Sequence, residues 1–156
     1  MASYFVTGAN RGIGLELTKQ LSELPATQVS KIFAAIRSSP PHALQKLVES
    51  SNGRVVPVQV QVTDRSSIDK AANEVAGMLD GKGLDVLINN AGILPLTQGG
   101  IEKMPEQTLR DVFDVNVVAV HNVIAGLLPL LRKGEQKKII TVYVFDHIDV
   151  ERLHNS

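Results

Sequence analysis

A short apolar run, Tyr4 to Val6, stops at the glycines Gly8, Gly12 and Gly14, and helical spacing begins among them and runs from Ile13 to Leu24. A strand that turns through glycine straight into a helix leaves few architectures open. The glycines allow backbone conformations closed to other residues. The helix that follows must then pack back on the strand that precedes it, as in an α/β layer.

The rest of the chain repeats that alternation. After a loop over Pro25 to Ser30, Lys31 to Ile36 reads as a strand and His42 to Ser50 as a helix, with Pro40 and Pro41 just ahead of it. Asn52-Gly53 signals a turn. Val56, Val58, Val60 and Val62 then alternate with Pro57, Gln59 and Gln61, which predicts a strand with one wetter face near a sheet edge. Ser66 or Ser67 can cap a helix reaching about Leu79. Leu84 to Ile88 is an apolar run but for Asp85, as a parallel strand buried on both faces should be. A long helix over Glu106 to Leu131 and a last strand over Lys138 to Phe145 complete the pattern. The prediction is an α/β fold: a Rossmann-like, doubly wound parallel sheet of about five strands with flanking helices and right-handed crossovers. No repeat, low-complexity tract or linker divides it, so one domain is expected.

Composition narrows the chemistry. The chain has 156 residues and no cysteine, which excludes disulfides, thiolate metal sites and cysteine nucleophiles. Sixteen basic residues balance sixteen acidic ones, so nothing draws the chain to nucleic acid or an anionic membrane surface. His42, His121, His147 and His154 are scattered without ligand spacing, so no metal is expected. Val115 to Leu131 is apolar, but Asn116, His121, Asn122 and Pro129 make it a poor membrane span. With no signal-peptide pattern at the start, a cytoplasmic location is the expectation.

The glycine turn carries the first chemistry. Its spacing is G-x-x-x-G-x-G, distinct from the G-x-G-x-x-G of other dinucleotide-binding turns. Bare backbone there lets a pyrophosphate approach, and the helix N-terminus offers free N–H groups and partial positive charge. An acid about 20 residues past such a turn would hold a ribose 2′-hydroxyl and repel a 2′-phosphate. No Asp or Glu lies between Glu23 and Glu49; Arg37 follows the second strand, and Arg11 sits in the glycine loop. A charge-assisted hydrogen bond is worth about 1.5–3 kcal/mol, so one Arg–phosphate contact would favour NADP(H) about 10- to 150-fold. Asp64, closing Val62-Thr63-Asp64, suits a helix cap or a ligand contact equally. Asn89-Asn90-Ala91-Gly92 ends the fourth strand with small residues against which a sugar can lie, and with amides able to brace neighbouring strands. Asn116, inside an apolar helix, needs a hydrogen-bonding reason to be there.

Thr7-Gly8-Ala9-Asn10-Arg11-Gly12-Ile13-Gly14 and Asn89-Asn90-Ala91-Gly92 together resemble the short-chain dehydrogenase/reductase family. The wording around Tyr4 to Leu15 looks most like ketoreductases of fungal secondary metabolism and related carbonyl reductases. The resemblance implies hydride exchange between NADP(H) and a small-molecule carbonyl or alcohol. It implies cofactor contacts from Gly8, Asn10, Arg11, Gly12, Ile13, Gly14, Arg37, Asp64 (on the adenine, with Arg65 backbone beside it), Asn90, Ala91 and Gly92. Asn116 matches the helix Asn of the family's catalytic tetrad, which helps hold a water next to the lysine. The resemblance also implies a possible homo-oligomer through helix 106–131. The family's Ser and Tyr-x-x-x-Lys are not found: Tyr143 and Val144 stand at the serine positions, and Tyr143 with His147 is not a substitute pair, since that spacing aligns only on a helix. Residues 1–145 therefore read as the N-terminal NADP-binding part of the family's domain and 146–156 as an unrelated tail. The expectation is a truncated form, with a reading-frame change or retained intron near Val142 and Val144. Two functions follow: a reductase or dehydrogenase in truncated form, or a catalytically silent nucleotide-binding remnant or interaction module.

Overall fold

The apolar run that opens the chain becomes the centre of the sheet. A computed structural model describes residues 1–95 and 103–143. Val144, His147, His154 and the 146–156 tail lie outside the described residues. The strands are β1 (Ala2–Thr7), β2 (Val29–Ile36), β3 (Val55–Gln59), β4 (Val86–Asn89) and β5 (Lys138–Thr141). The helices are α1 (Gly12–Glu23), α2 (His42–Ser50), α3 (Arg65–Met78), α4 (Glu106–Phe113) and α5 (Ala119–Lys133), with a π-helical turn, Asp114–Val118, joining the last two. The five strands are all parallel, in the order β3-β2-β1-β4-β5. Leu15, Leu17 and Leu21 of α1 and Leu44 of α2 cover one face. Ile68, Ala71 and Val75 of α3 and Val123, Leu127 and Leu131 of α5 cover the other. This is the doubly wound α/β arrangement predicted.

Boundaries differ from the expectation where side chains compete for backbone groups. The valine run stops being a strand at Gln59. β2 ends at Ile36, so only Val60 N–H still finds a neighbour, the Ile36 carbonyl at 2.8 Å, while Gln61 N–H donates to Ser67 Oγ at 2.9 Å. β3 is the sheet edge, as its alternation predicted, and Pro57 is tolerated there. Neither serine caps α3. Asp64 is the cap, accepting from Ser66 N–H at 2.9 Å and Ser66 Oγ at 2.8 Å. β4 begins at Val86 rather than Leu84, because Leu84 N–H donates to the Leu130 carbonyl and Asp85 N–H to Ser3 Oγ. The predicted long helix is continuous from Glu106 to Lys133, and by length and composition alone it is long and apolar enough to cross a membrane. Its α5 half instead buries one stripe against α3 and the sheet.

Asp85, buried below the start of β4, ties together three parts of the chain. Its Oδ2 accepts from Ser3 N–H (2.8 Å) and Ser3 Oγ (3.1 Å), and its Oδ1 from the N–H groups of Glu135 (2.8 Å) and Gln136 (3.2 Å). The carboxylate thus sets the turn between α5 and β5 against the start of β1. Burial pushes its pKa up, but these donors outweigh burial and hold it below the usual carboxylate value. A depressed folded-state pKa stabilises the fold fully above about pH 4, and the contribution is lost as pH falls through the folded value. Asp85→Asn, which turns an amide donor toward these donors, is expected to cost roughly 1.5–3 kcal/mol at neutral pH. Urea midpoints should show that deficit narrowing below about pH 4 as the native carboxyl protonates; a deficit independent of pH would contradict the account.

Candidate functional site

Because β1 is flanked by β2 on one side and β4 on the other, connections leave it in opposite directions and a crevice opens at the strands' carboxyl ends. That crevice is a cleft of about 280 Å³, lined by the glycine loop, the ends of β2 and β4, the Val60–Thr63 segment, and Val115 of the π-helical turn. Gly8, Asn10, Arg11, Gly12, Ile13, Arg37, Asn90, Ala91 and Gly92 of the predicted site all line it. Gly14, Asp64 and Asn116 do not.

Thr7 shapes the cleft floor. Its hydroxyl oxygen accepts from the N–H groups of Asn90 and Ala91, both at 2.9 Å, and its O–H points to the Ile88 carbonyl at 3.4 Å. In return, Asn90 Nδ2 donates to the Thr7 carbonyl at 2.9 Å and reaches that of Gly8 at 3.4 Å. Asn90 therefore braces β1 as expected, whereas the buried Nδ2 of Asn89 has no hydrogen-bond partner among the described residues.

Two glycines are required by this clasp. Gly8 has φ +69°, and a Cβ there would lie 3.0 Å from Ala91 Cα. A Cβ on Gly14 would overlap the Gly8 carbonyl and sit 2.5 Å from Asn90 Nδ2. The absence of a side chain at Gly14 thus lets α1 pack against the clasp. Arg11 occupies the α1 cap position without a side-chain cap bond, and the first turn holds no acid. The leading N–H groups of a 12-residue helix are left to serve an anion in the cleft.

Charge in the cleft has one sign. Arg11 and Arg37 are both exposed, no Asp or Glu is among the lining residues, and neither arginine forms an ion pair among the described residues. Gln59 Nε2 donates to the Arg37 carbonyl at 3.2 Å, fixing the backbone that carries this guanidinium. Of the two readings of Asp64, the helix cap is the one its hydrogen bonds make; the Ser66 side chain, then its N–H, hold the carboxyl below its usual pKa.

Asn116 finds its reason on the loop after β4. Its Oδ1 accepts from Ile93 N–H and its Nδ2 donates to the Ile93 carbonyl, each at 2.9 Å. The side chain is exposed, so the pair is not the buried amide contact that apolar neighbours suggested. It joins the π-helical turn to the rim of the cleft. π-helical turns recur at functional sites, and no sequence signal marked this one. Sequence reading also left Thr7 without a role, although a hydroxyl at a strand's end, beside the glycines, was a visible cue. Val60 to Thr63 reads as strand in the sequence; past the end of β3 it forms a cleft wall instead.

The model for short chain dehydrogenases matches residues 3–145, and the chain belongs to that family. It is 40% identical over 152 residues to the short-chain dehydrogenase/reductase atnB of an Arthrinium species, covering 91% of this chain and 54% of that protein. It is 37% identical over 148 residues to AacuF of Aspergillus aculeatus, with the same coverage. The likeness to fungal reductases read from the motifs therefore holds. Among solved structures, the NADPH-bound carbonyl reductase from chicken fatty liver superposes with a TM-score of 0.76 at 36% identity, covering 85% of this chain and 49% of that one. The chain spans about half the length of these relatives.

Thr7→Val keeps the shape but leaves two amides without their acceptor, and is expected to cost roughly 1–3 kcal/mol of stability. Thr7→Ser should retain nearly all of it in the same denaturation experiment. Equal losses in the two variants would remove the hydroxyl from the explanation.

Proposed function

We propose that this chain forms the NADP(H)-binding portion of a short-chain carbonyl reductase or alcohol dehydrogenase. The observation that carries the reading is a cleft at the sheet's switch point that presents an uncapped helix N-terminus and two arginines and no carboxylate. The residues fit the cofactor: a cleft walled by Gly8, Gly12, Ala91 and Gly92, free first-turn amides, and the cationic side chains of Arg11 and Arg37. NADPH, when bound, supplies the hydride. The amides at the start of α1 hold the pyrophosphate, Arg37 and Arg11 hold the 2′-phosphate, and Asn90, Ala91 and Gly92 give a flat wall to the ribose. Asp64, whose Oδ1 caps α3, is assigned to the adenine amino group on the family resemblance.

Asn116 holds the Ile93 carbonyl in place beside the cleft, where the carbonyl's second lone pair can order a water. A positioned general acid accelerates such reductions about 10²- to 10⁴-fold. The family's Tyr-x-x-x-Lys is not among these 156 residues, and the second reading is a chain that binds nucleotide without turning over ketones. Mixing the chain with NADPH and a ketone panel separates the two: turnover at ordinary enzyme rates excludes the silent form.

The cofactor assignment is tested by fluorescence titration with NADPH and NADH. NADPH is expected to bind more tightly, and Arg37→Ala to weaken NADPH about 10- to 150-fold while leaving NADH nearly unchanged. Equal affinities in the unmodified chain contradict the assignment.

The outer face of the long helix supports self-association. Leu109, Phe113 and Val117, spaced one helical turn apart, are 49%, 57% and 50% exposed. We propose that a second copy covers this stripe. Sedimentation should show a dimer that Phe113→Glu converts to monomer; a monomeric unmodified chain rejects the proposal.

A further inference from the structure

We infer that Asn52-Gly53 is a site of self-modification, at which the asparagine converts through a cyclic imide to aspartate and isoaspartate. Asn52 is followed by glycine, whereas every other asparagine in the chain is followed by a residue with a side chain. The pair lies exposed in the turn from α2 to β3, with φ +51° at Asn52 and +75° at Gly53. Nothing lies within 4 Å of where a Gly53 Cβ would be, so the nitrogen of Gly53 is open to approach. Neither the Gly53 N–H nor the Asn52 amide has a hydrogen-bond partner among the described residues.

The reaction needs only water. The Gly53 nitrogen attacks Asn52 Cγ, forming a C–N bond; the Cγ–Nδ2 bond breaks, and Nδ2 leaves as ammonia with the proton that Gly53 gives up. Water then opens the ring at either carbonyl. Attack at the former side-chain carbonyl yields aspartate, and attack at the main-chain carbonyl yields isoaspartate. Ring closure requires Asn52 to rotate out of the left-handed well, which breaks one bond, Arg54 N–H to the Ser51 carbonyl at 3.2 Å. A local opening of that kind lies at the low end of the free energies for native-state fluctuation.

The flanks of the turn do not share its freedom. Ser51 Oγ donates to the Val48 carbonyl at 2.9 Å and accepts from Val55 N–H at 3.0 Å. The Arg54 guanidinium donates to the carbonyls of Leu24 (2.9 Å) and Ser22, and its own carbonyl accepts from Ile32 N–H at 2.8 Å. Isoaspartate inserts an extra methylene into the main chain between these two fixed residues, so it strains the entry to β3, whereas aspartate does not lengthen the chain.

The full chain, held at mildly alkaline pH in heavy-oxygen water, tests this by peptide mapping. The expected result is that position 52 acquires heavy oxygen faster than Asn10, Asn73, Asn116 or Asn122, as both aspartate and isoaspartate, and that the isoaspartyl fraction unfolds at lower urea. Gly53→Ala, which shields the nitrogen, should slow the conversion several-fold, and Asn52→Gln should abolish it, with a urea midpoint that does not drift during the incubation. An amide at position 52 that outlasts the other four, or a rate indifferent to Gly53→Ala in a chain shown to be folded by its circular dichroism without denaturant, overturns the proposal.

Discussion

The clasp between Thr7 and Asn90 is the interaction on which the site depends. One hydroxyl and one carboxamide join the ends of β1 and β4, where two parallel strands would otherwise part with their last backbone groups unpaired. Everything at the cleft takes its position from that junction. Gly14 lacks a side chain because α1 must lie against the clasp, and Gly8 turns through a left-handed conformation because Ala91 stands beside it. The start of α1 then points its free amides across the strand ends. The cleft is thus a product of sheet topology, held open by a few short polar contacts.

The described cleft carries two arginines. An exposed pair of arginines in water contributes little at long range, because salt screens charges beyond about 8–10 Å. At contact with a phosphate the same guanidinium is a rigid fork of donors matched to the anion. Among the described residues no carboxylate lines the cleft, so a phosphate there meets no opposing charge from them. Asp85 shows the opposite use of charge: a buried carboxylate at the other end of the sheet, surrounded by donors, that secures the entry to β5.

The sequence made the element order, the edge position of β3 and most of the cleft legible, because these rest on periodicity and on glycine. It was less informative wherever a side chain competes for backbone. Ser67 takes the Gln61 N–H and ends the valine strand early, Ser3 and Leu130 delay β4, and Asp64 displaces both serines as the cap of α3. None of these contacts is encoded by spacing alone, since each joins residues brought together by the fold. The same holds for Asn116. Its apolar neighbours in sequence suggested burial, yet Phe113, Val117 and Val118 are themselves exposed, and the amide pairs with Ile93 across the cleft rim.

The central claim is that the helix start and the two arginines recognise a nucleotide by its phosphates. Amide-resolved NMR of the full chain, titrated with adenosine 2′,5′-bisphosphate and separately with adenosine 5′-monophosphate, tests it directly. The account predicts shifts at Gly12, Ile13, Arg37 and Asn90 with the bisphosphate, and with the monophosphate the same shifts at the α1 start but weaker binding and little change at Arg37. Identical affinities for the two compounds, or shifts that avoid the cleft, would contradict it.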